Sequence, residues 1–306
     1  MKDTAPIIIF CHRRKIDKLI NSLKKNKEAS YSNLFIFSDG YKSNEDKKDV
    51  YDARKFIKKI KGFKSIKIFY SNTNKGLAIS IINGVTSVVN DFGKAIVLED
   101  DLVVSEYFLN FMNRALNFYK DNKDIWSISG YSPPLLYLKD YKKEVYLSLR
   151  SSSWGWATWI DRWNKTDWVI KDFYNLRKDK DKIRKFNQGG NDMFRMLELQ
   201  HLGKIDSWAI RWCYSQFLNS TYSVVPKISM VQNIGFNDKF STHTKGNDFK
   251  WRVNLAEGKI SNFEVSLNYE IIHNFKKFFD NSFYTRIGYF LKRWYGYKII
   301  KDKLKI

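Results

Sequence analysis

The sequence predicts an α/β fold in which a mostly parallel central sheet is flanked by helices. Three observations carry that reading. Short apolar runs at 6–10, 34–37, 66–70 and 95–98 recur along the first third of the chain, at the roughly 30-residue spacing of βαβ units. The runs read as apolar on both faces, Lys67 apart, the pattern of strands covered by helices. The stretches between them carry apolar residues at helical spacing, as in Ile16, Leu19, Ile20 and Leu23. Such units connect by right-handed crossovers.

Taken in order, the first strand ends in Cys11-His12-Arg13, and a helix spans 16–23. The second strand runs into Ser38-Asp39-Gly40, and the third is followed by Asn74-Lys75-Gly76, which opens a helix over 77–89. The fourth delivers Glu99-Asp100-Asp101 to its carboxyl end, and a helix spans 107–119. Past residue 130 the texture changes. Pro133-Pro134 breaks the chain, 145–149 reads as a strand, and five of the ten tryptophans fall between 154 and 168. Trp159 and Trp163, four apart, are expected on one face of a helix packed in the core. Residues 171–190 read as a solvated helix and loop, 191–202 and 207–218 as helices, and 235–248 as a long mobile loop. The organisation is thus 1–130, 131–250, and a tail over 251–306.

With 306 residues the chain can bury a full core, as one large domain or two fused halves. At 43% hydrophobic and 17% aromatic it is globular and not disordered. Its longest apolar runs are far shorter than the ~18 residues of a membrane span. The N-terminus lacks an apolar segment of secretory length and reads as the first strand. Cys11 and Cys213 are too few for a disulfide scaffold and show no CxxC spacing, so free buried thiols in a reducing, cytoplasmic compartment are expected. A net charge of +22 favours polyanions: nucleic acid, acidic lipid or phosphorylated small molecules. No zinc-finger or RNA-binding signature accompanies the charge, which disfavours nucleic acid. The basic, aromatic stretch 283–306 suits either the surface of an anionic membrane, at the cytoplasmic face of the inner membrane, or packing on the domain with its lysines in water.

The acid triplet is the most informative motif. Three adjacent carboxylates repel one another unless a positive group sits among them. A divalent cation carrying a phosphate-bearing substrate would serve, since hard cations take oxygen ligands. A solvated acidic turn is the plain alternative.

Five segments in order, Ser38-Asp39-Gly40, Asn74-Lys75-Gly76, Glu99-Asp100-Asp101, Trp154-Gly155-Trp156 and Asp206-Ser207-Trp208, resemble metal-dependent nucleotide-sugar glycosyltransferases of the GT-A fold. The similarity is to N-acetylglucosaminyltransferase I and to bacterial family-2-like capsule and O-antigen transferases, over residues 5 to 245. It implies a nucleotide-sugar-binding half over 1–130 and an acceptor-binding half over 131–250. It also implies inverting transfer of N-acetylglucosamine or a related hexose from a UDP donor, with Mn²⁺ or Mg²⁺, onto a glycan or lipid-linked acceptor in surface polysaccharide synthesis.

By the same resemblance Asp101 ligates the metal, while Glu99 and Asp100 face sugar and ribose hydroxyls. Asp39 accepts from the uracil N3–H, or else forms an Asx turn with Gly40. His12 and Arg13 sit beside the nucleotide, Arg13 being otherwise solvated. The N–H groups of Lys75 and Gly76 help hold the donor, or merely form a helix-opening turn. Trp154, Gly155 and Trp156 meet the acceptor, with Gly155 allowing close backbone approach. Here Trp154 stands where that family has a smaller residue. Asp206 is the base that deprotonates the attacking hydroxyl, or the N-cap of the next helix; Asp192 and Asp161 are the fallback bases. His243, in a loop resembling one that orders over the donor, is a candidate metal or phosphate contact. Two other functions remain open: a sugar-nucleotide nucleotidyltransferase, disfavoured by the absence of a Gly-rich N-terminal loop followed by Arg and Lys, and a basic module that binds lipid or nucleic acid.

Overall fold

Residues 4–236 and 249–280 are described by the computed structural model. Along the chain come β1 (Ile7–Cys11), α1 (Asp17–Lys24), β2 (Asn33–Ser38), α2 (Lys47–Ile57), β3 (Ser65–Tyr70), α3 (Leu77–Phe92) and β4 (Lys94–Glu99). Then follow β5 (Leu102–Val104), α4 (Phe108–Phe118), β6 (Ile125–Ser129), β7 (Val145–Ser148), β8 (Trp156–Trp159) and α5 (Ile160–Trp163). The second half adds α6 (Phe173–Lys178), α7 (Lys180–Phe186), α8 (Met193–His201), α9 (Trp208–Leu218), β9 (Tyr222–Pro226), β10 (Val231–Asn233) and α10 (Tyr269–Phe279).

An eight-stranded sheet runs in the order β3-β2-β1-β4-β8-β6-β9-β7, and β10 pairs with β5 in a separate ribbon. The first four strands are mutually parallel, as the βαβ rhythm requires. β8 runs antiparallel between β4 and β6, β9 is parallel to β6, and β7 closes the far edge antiparallel. The chain builds outward from β1 to β3, then returns to lay β4 on the opposite side of β1. That reversal opens a crevice at the carboxyl ends of β1 and β4, where ligands bind in open α/β sheets.

Alternation along each strand sorts the core into two layers. Ile7, Ile9, Leu34, Ile36, Ile96 and Leu98 face the layer of α1 and α4, while Ile8, Phe10, Phe35 and Val97 face α3 and α9. Within the second layer Trp156 stacks 5.0 Å from Trp208, Trp126 lies 4.5 Å from Trp212, and Trp163 lies 5.2 Å from Trp212. Truncating one such buried aromatic costs about 3–5 kcal/mol. Helix ends follow local chemistry. Gly93, at φ 73°, terminates α3, and the Ser207 hydroxyl caps α9 by accepting from the Ile210 N–H.

Several expectations are corrected. β3 is an edge strand with its side chains partly or wholly exposed, not a strand covered on both faces. Trp159 and Trp163 are buried but share no helical face. Trp159 ends β8 and donates to the Leu116 carbonyl on one side of the sheet, whereas Trp163 lies in α5 and donates to Thr86 on the other. Helix α2, the ribbon of β5 and β10, and strands β6, β8 and β9 were not expected from pattern. After residue 251, as far as residue 280, Phe263 stacks on Phe111, and Ile271 and Phe275 pack with Leu135, Leu138 and Tyr146. The stretch 283–306 and most of 235–248 lie outside the described residues. No helix among those described is long and apolar enough to cross a membrane. Both cysteines are buried free thiols.

Candidate functional site

At the crevice, Glu99 is the last residue of β4, and Asp100 and Asp101 form the turn into β5. Parallel pairing with β1 sets Glu99 against Phe10, so the chain leaving β1 passes directly over the acids. The His12 N–H donates to Asp100 Oδ2 at 3.2 Å, and Arg14 Nη1 donates to Asp100 Oδ1 at 2.9 Å. Arg14 also lies 3.9 Å from Asp101 Oδ2. Arg14, Asp100 and Asp101 are 14%, 18% and 22% exposed at the side chain, a depth at which charge is weakly screened. Burial, then the neighbouring Asp101 and Asp100 charges, push the Glu99 carboxyl well above its ordinary range. Burial and Asp101 push Asp100 up to about 6, against the opposing pull of Arg14.

Asp101 is fixed from β10. Asn233 Nδ2 donates to Asp101 Oδ2 at 2.9 Å, and the Ile234 N–H donates to the Asp101 carbonyl at 2.8 Å. Gly235 lies so close that a Cβ there would sit 2.6 Å from Asp101 Oδ2. Only glycine lets this backbone cross the carboxylate.

The end of β2 is a brace. Asp39 accepts from the N–H groups of Gly40, Lys75 and Gly76 at 2.9 to 3.1 Å. The Gly40 bond reaches one residue on, not the two of an Asx turn, and the Lys75 and Gly76 amides donate to Asp39. Arg54, from α2, ties the same corner together through the carbonyls of Ser38, Asp39 and Ser71. His12 Nε2 and Arg13 both face Asp46, at 3.6 and 3.7 Å. Burial raises the Asp46 carboxyl, but the Ser43 and Lys42 N–H groups, then His12 and Arg13, outweigh that and hold it low. Burial lowers His12, partly offset by Asp46. Of the two arginines, Arg13 faces Asp46 and Arg14 reaches the triplet; the sequence reading named only Arg13.

Asp206 comes from the turn before α9. Its carboxylate is 58% exposed and 3.5 Å from Arg211, and its Oδ2 lies 3.5 Å from where a Gly76 Cβ would be. Because Ser207 is the N-cap, Asp206 is left facing the Asp39 brace at the same end of the sheet as the triplet. Neither fallback base shares that position. Asp192 makes a bidentate pair with Arg150 at 2.7 and 2.9 Å, and Asp161 is held by Arg162 and Lys123.

Among the three residues expected at an acceptor, Gly155 has φ 64° and packs against Val231 and Leu98. Trp154 is partly buried, edge-on to Tyr131 and Trp251, and lines a cavity of about 180 Å³ with Arg150 and Ser151 to Ser153. Trp156 is 1% exposed inside the tryptophan layer. Its expected stacking on a sugar is corrected: the period-2 alternation of β8 turns it into the core. His243 lies outside the described residues.

A metal fits the donor set in a particular way. Among the described residues no three His, Cys, Asp or Glu groups converge as a cage, yet Mg²⁺-type sites commonly use one or two carboxylates plus substrate phosphates. Asp101 and Asp100 offer the oxygen ligands that such an ion takes. Arg14, Asp46 and Arg54 escaped the sequence reading because only folding brings them to these corners, while Asn233 was read only as the start of the loop to His243. A run of two arginines after a strand was the one available signal. A scan against protein-family models found no match, and a search of curated proteins found none.

Proposed function

We propose that the chain is an inverting, metal-dependent glycosyltransferase that uses a UDP-sugar donor, with N-acetylglucosamine or a related hexose as the transferred group, in surface polysaccharide synthesis. The observation that carries this reading is the acid triplet at the β1–β4 crevice, braced by Arg14, with Asp206 at the same end of the sheet.

In this reading Asp101, fixed by Asn233, holds a Mn²⁺ or Mg²⁺ ion, which supplies charge neutralisation to the departing diphosphate. Glu99 and Asp100 accept from donor hydroxyls, a task suited to carboxylates. Arg14 adds positive charge beside the phosphates. Asp206 takes the proton of the acceptor hydroxyl as that oxygen bonds to the anomeric carbon and the bond to the diphosphate breaks. The products are the new glycoside, UDP, and a proton on Asp206. Asp39 acts at one remove, by holding the Lys75–Gly76 turn against which Asp206 rests.

A thermal-shift screen of nucleotide sugars with and without Mn²⁺ tests the proposal, since a ligand of the folded state raises apparent stability by mass action. UDP-sugars are expected to stabilise the chain only with the metal, and to be turned over to UDP. Stabilisation by nucleoside triphosphates with release of pyrophosphate would overturn it.

A further inference from the structure

We propose that the cavity of about 950 Å³ beside β10 seats the acceptor, and that this acceptor carries a negative charge as phosphate or carboxylate. The inference rests on the glycosyltransferase reading and adds the chemistry of its second substrate. Three observations support it.

The cavity adjoins the triplet through one residue. Asn233 lines it and donates to Asp101 Oδ2 at 2.9 Å. A ligand there touches the strand that holds Asp101.

The wall is charged with one sign. Lys139, Lys227 and Arg252 line the cavity, and no Asp or Glu is among the described residues lining it. The Lys227 ammonium is held by the Tyr141 carbonyl at 2.7 Å, a partner with no formal charge. One-signed charge around a concave wall concentrates ligands of the opposite sign.

The remaining lining is mixed in the way a glycan requires. Ser132, Ser229, Gln232 and Asn254 offer hydrogen-bonding groups, while Leu135, Leu138 and Ile228 offer apolar surface for sugar ring faces or the first units of a lipid. The volume lies at the upper end of the usual 300–1,000 Å³ for ligand sites. The aromatic cavity of about 180 Å³ at Trp154 shares Pro133 with it, so the two form neighbouring spaces.

Three probes separate the sources of charge in titration calorimetry on the full chain with UDP and Mn²⁺. They are a chitobiosyl diphosphate carrying a farnesyl chain, a glucuronate-containing disaccharide, and the neutral methyl glycoside of chitobiose. At least one charged probe is expected to bind tenfold or more tighter than the neutral one. The charge reversal Lys139→Glu with Arg252→Glu should remove that advantage and leave UDP affinity unchanged. Preference for the diphosphate assigns the charge to a lipid-linked acceptor; preference for the glucuronate assigns it to an acidic sugar. Equal binding of the neutral probe, no binding by either charged probe, or indifference to the double substitution overturns the proposal. Failure of UDP and Mn²⁺ to bind, with charged-probe affinity still dependent on Lys139 and Arg252, would instead overturn the donor reading alone.

Discussion

The guanidinium of Arg14 lies 2.9 Å from Asp100 Oδ1 and 3.9 Å from Asp101 Oδ2, so the acid triplet is folded around a cation supplied by the chain itself. Adjacent carboxylates at this depth repel, and Arg14 offsets part of that repulsion.

Arg14→Gln should lower stability by about 1–3 kcal/mol near pH 7, the range for losing a charged hydrogen bond and leaving a half-buried acid without its cation. The loss should shrink by about pH 5, because Asp100, the acid bonded to Arg14, takes up its proton as pH falls through about 6. Urea denaturation at the two pH values measures both. Equal stability of variant and parent at pH 7 would show that Arg14 is a bystander.

Asp100 gives a second, pH-dependent signature. Its folded value of about 6 stands above its ordinary 3.8 because burial, and then Asp101, disfavour the ionised form. The folded state therefore binds the proton more tightly than the unfolded one. The corresponding stability is fully present below about pH 3.8 and is lost as pH rises through about 6. Glu99 shifts the same way. The Asp100→Asn variant should lose less stability than the parent between pH 4 and 7. Parallel profiles for the two proteins would contradict this.

How far the chain could be read beforehand follows from what is local. The order of the four parallel strands and the placing of acids at the end of β4 were legible: burial on both faces writes β1, β2 and β4 into consecutive apolar residues, whereas β3 shows as an apolar run without being covered. The ribbon of β5 and β10 was not legible. Leu102 and Asn233 are paired although 131 residues apart in sequence, and three-residue strands carry no periodicity. The same limit hid Arg14 behind Arg13, since two adjacent arginines on a loop are distinguished only by which way the backbone turns. Trp156 was misread because the Trp-Gly-Trp pattern suggests a turn, whereas β8 begins at its second tryptophan. The brace role of Asp39 was not legible, because its grip on Lys75 and Gly76 depends on the approach of two loops.

Gly235→Ala tests whether the position of Asp101 matters. A Cβ at 2.6 Å from Oδ2 and 2.8 Å from Asp101 Cβ cannot be accommodated without moving the acid or the strand. Affinity for UDP with Mn²⁺ is expected to fall tenfold or more in titration calorimetry. The melting temperature should change little, because Gly235 lies past the end of β10. Retained affinity would remove Asp101 from the metal-holding role.

The two tryptophans flanking Gly155 should part company. Trp156→Ala should destabilise by about 3–5 kcal/mol, as for other buried aromatics, and impair everything at once. Trp154→Ala should cost less stability and weaken acceptor-dependent turnover selectively, with donor affinity preserved. Comparing melting curves with UDP titrations for both variants separates packing from recognition. Unchanged turnover in the Trp154 variant would exclude it from acceptor binding.

Asp206 carries the sharpest chemical prediction. It is exposed, it is not the cap of α9, and it faces the Gly76 turn that Asp39 fixes. A base needs to reach a substrate proton, and an exposed carboxylate beside the donor brace meets that condition better than Asp192 or Asp161, both committed to arginines. Asp206→Asn keeps the shape and removes the proton acceptor. UDP affinity with Mn²⁺ should stay within about twofold, while turnover falls by about 10²-fold or more, the pattern of a group acting only in the transition state. Hydrolysis of UDP-N-acetylglucosamine to UDP, with water as the acceptor, reads this before any natural acceptor is identified. Arg211→Gln supplies the control: it removes the 3.5 Å partner of Asp206 and should alter the rate far less than loss of the carboxylate. A normal rate in Asp206→Asn would move the base to another residue of the crevice.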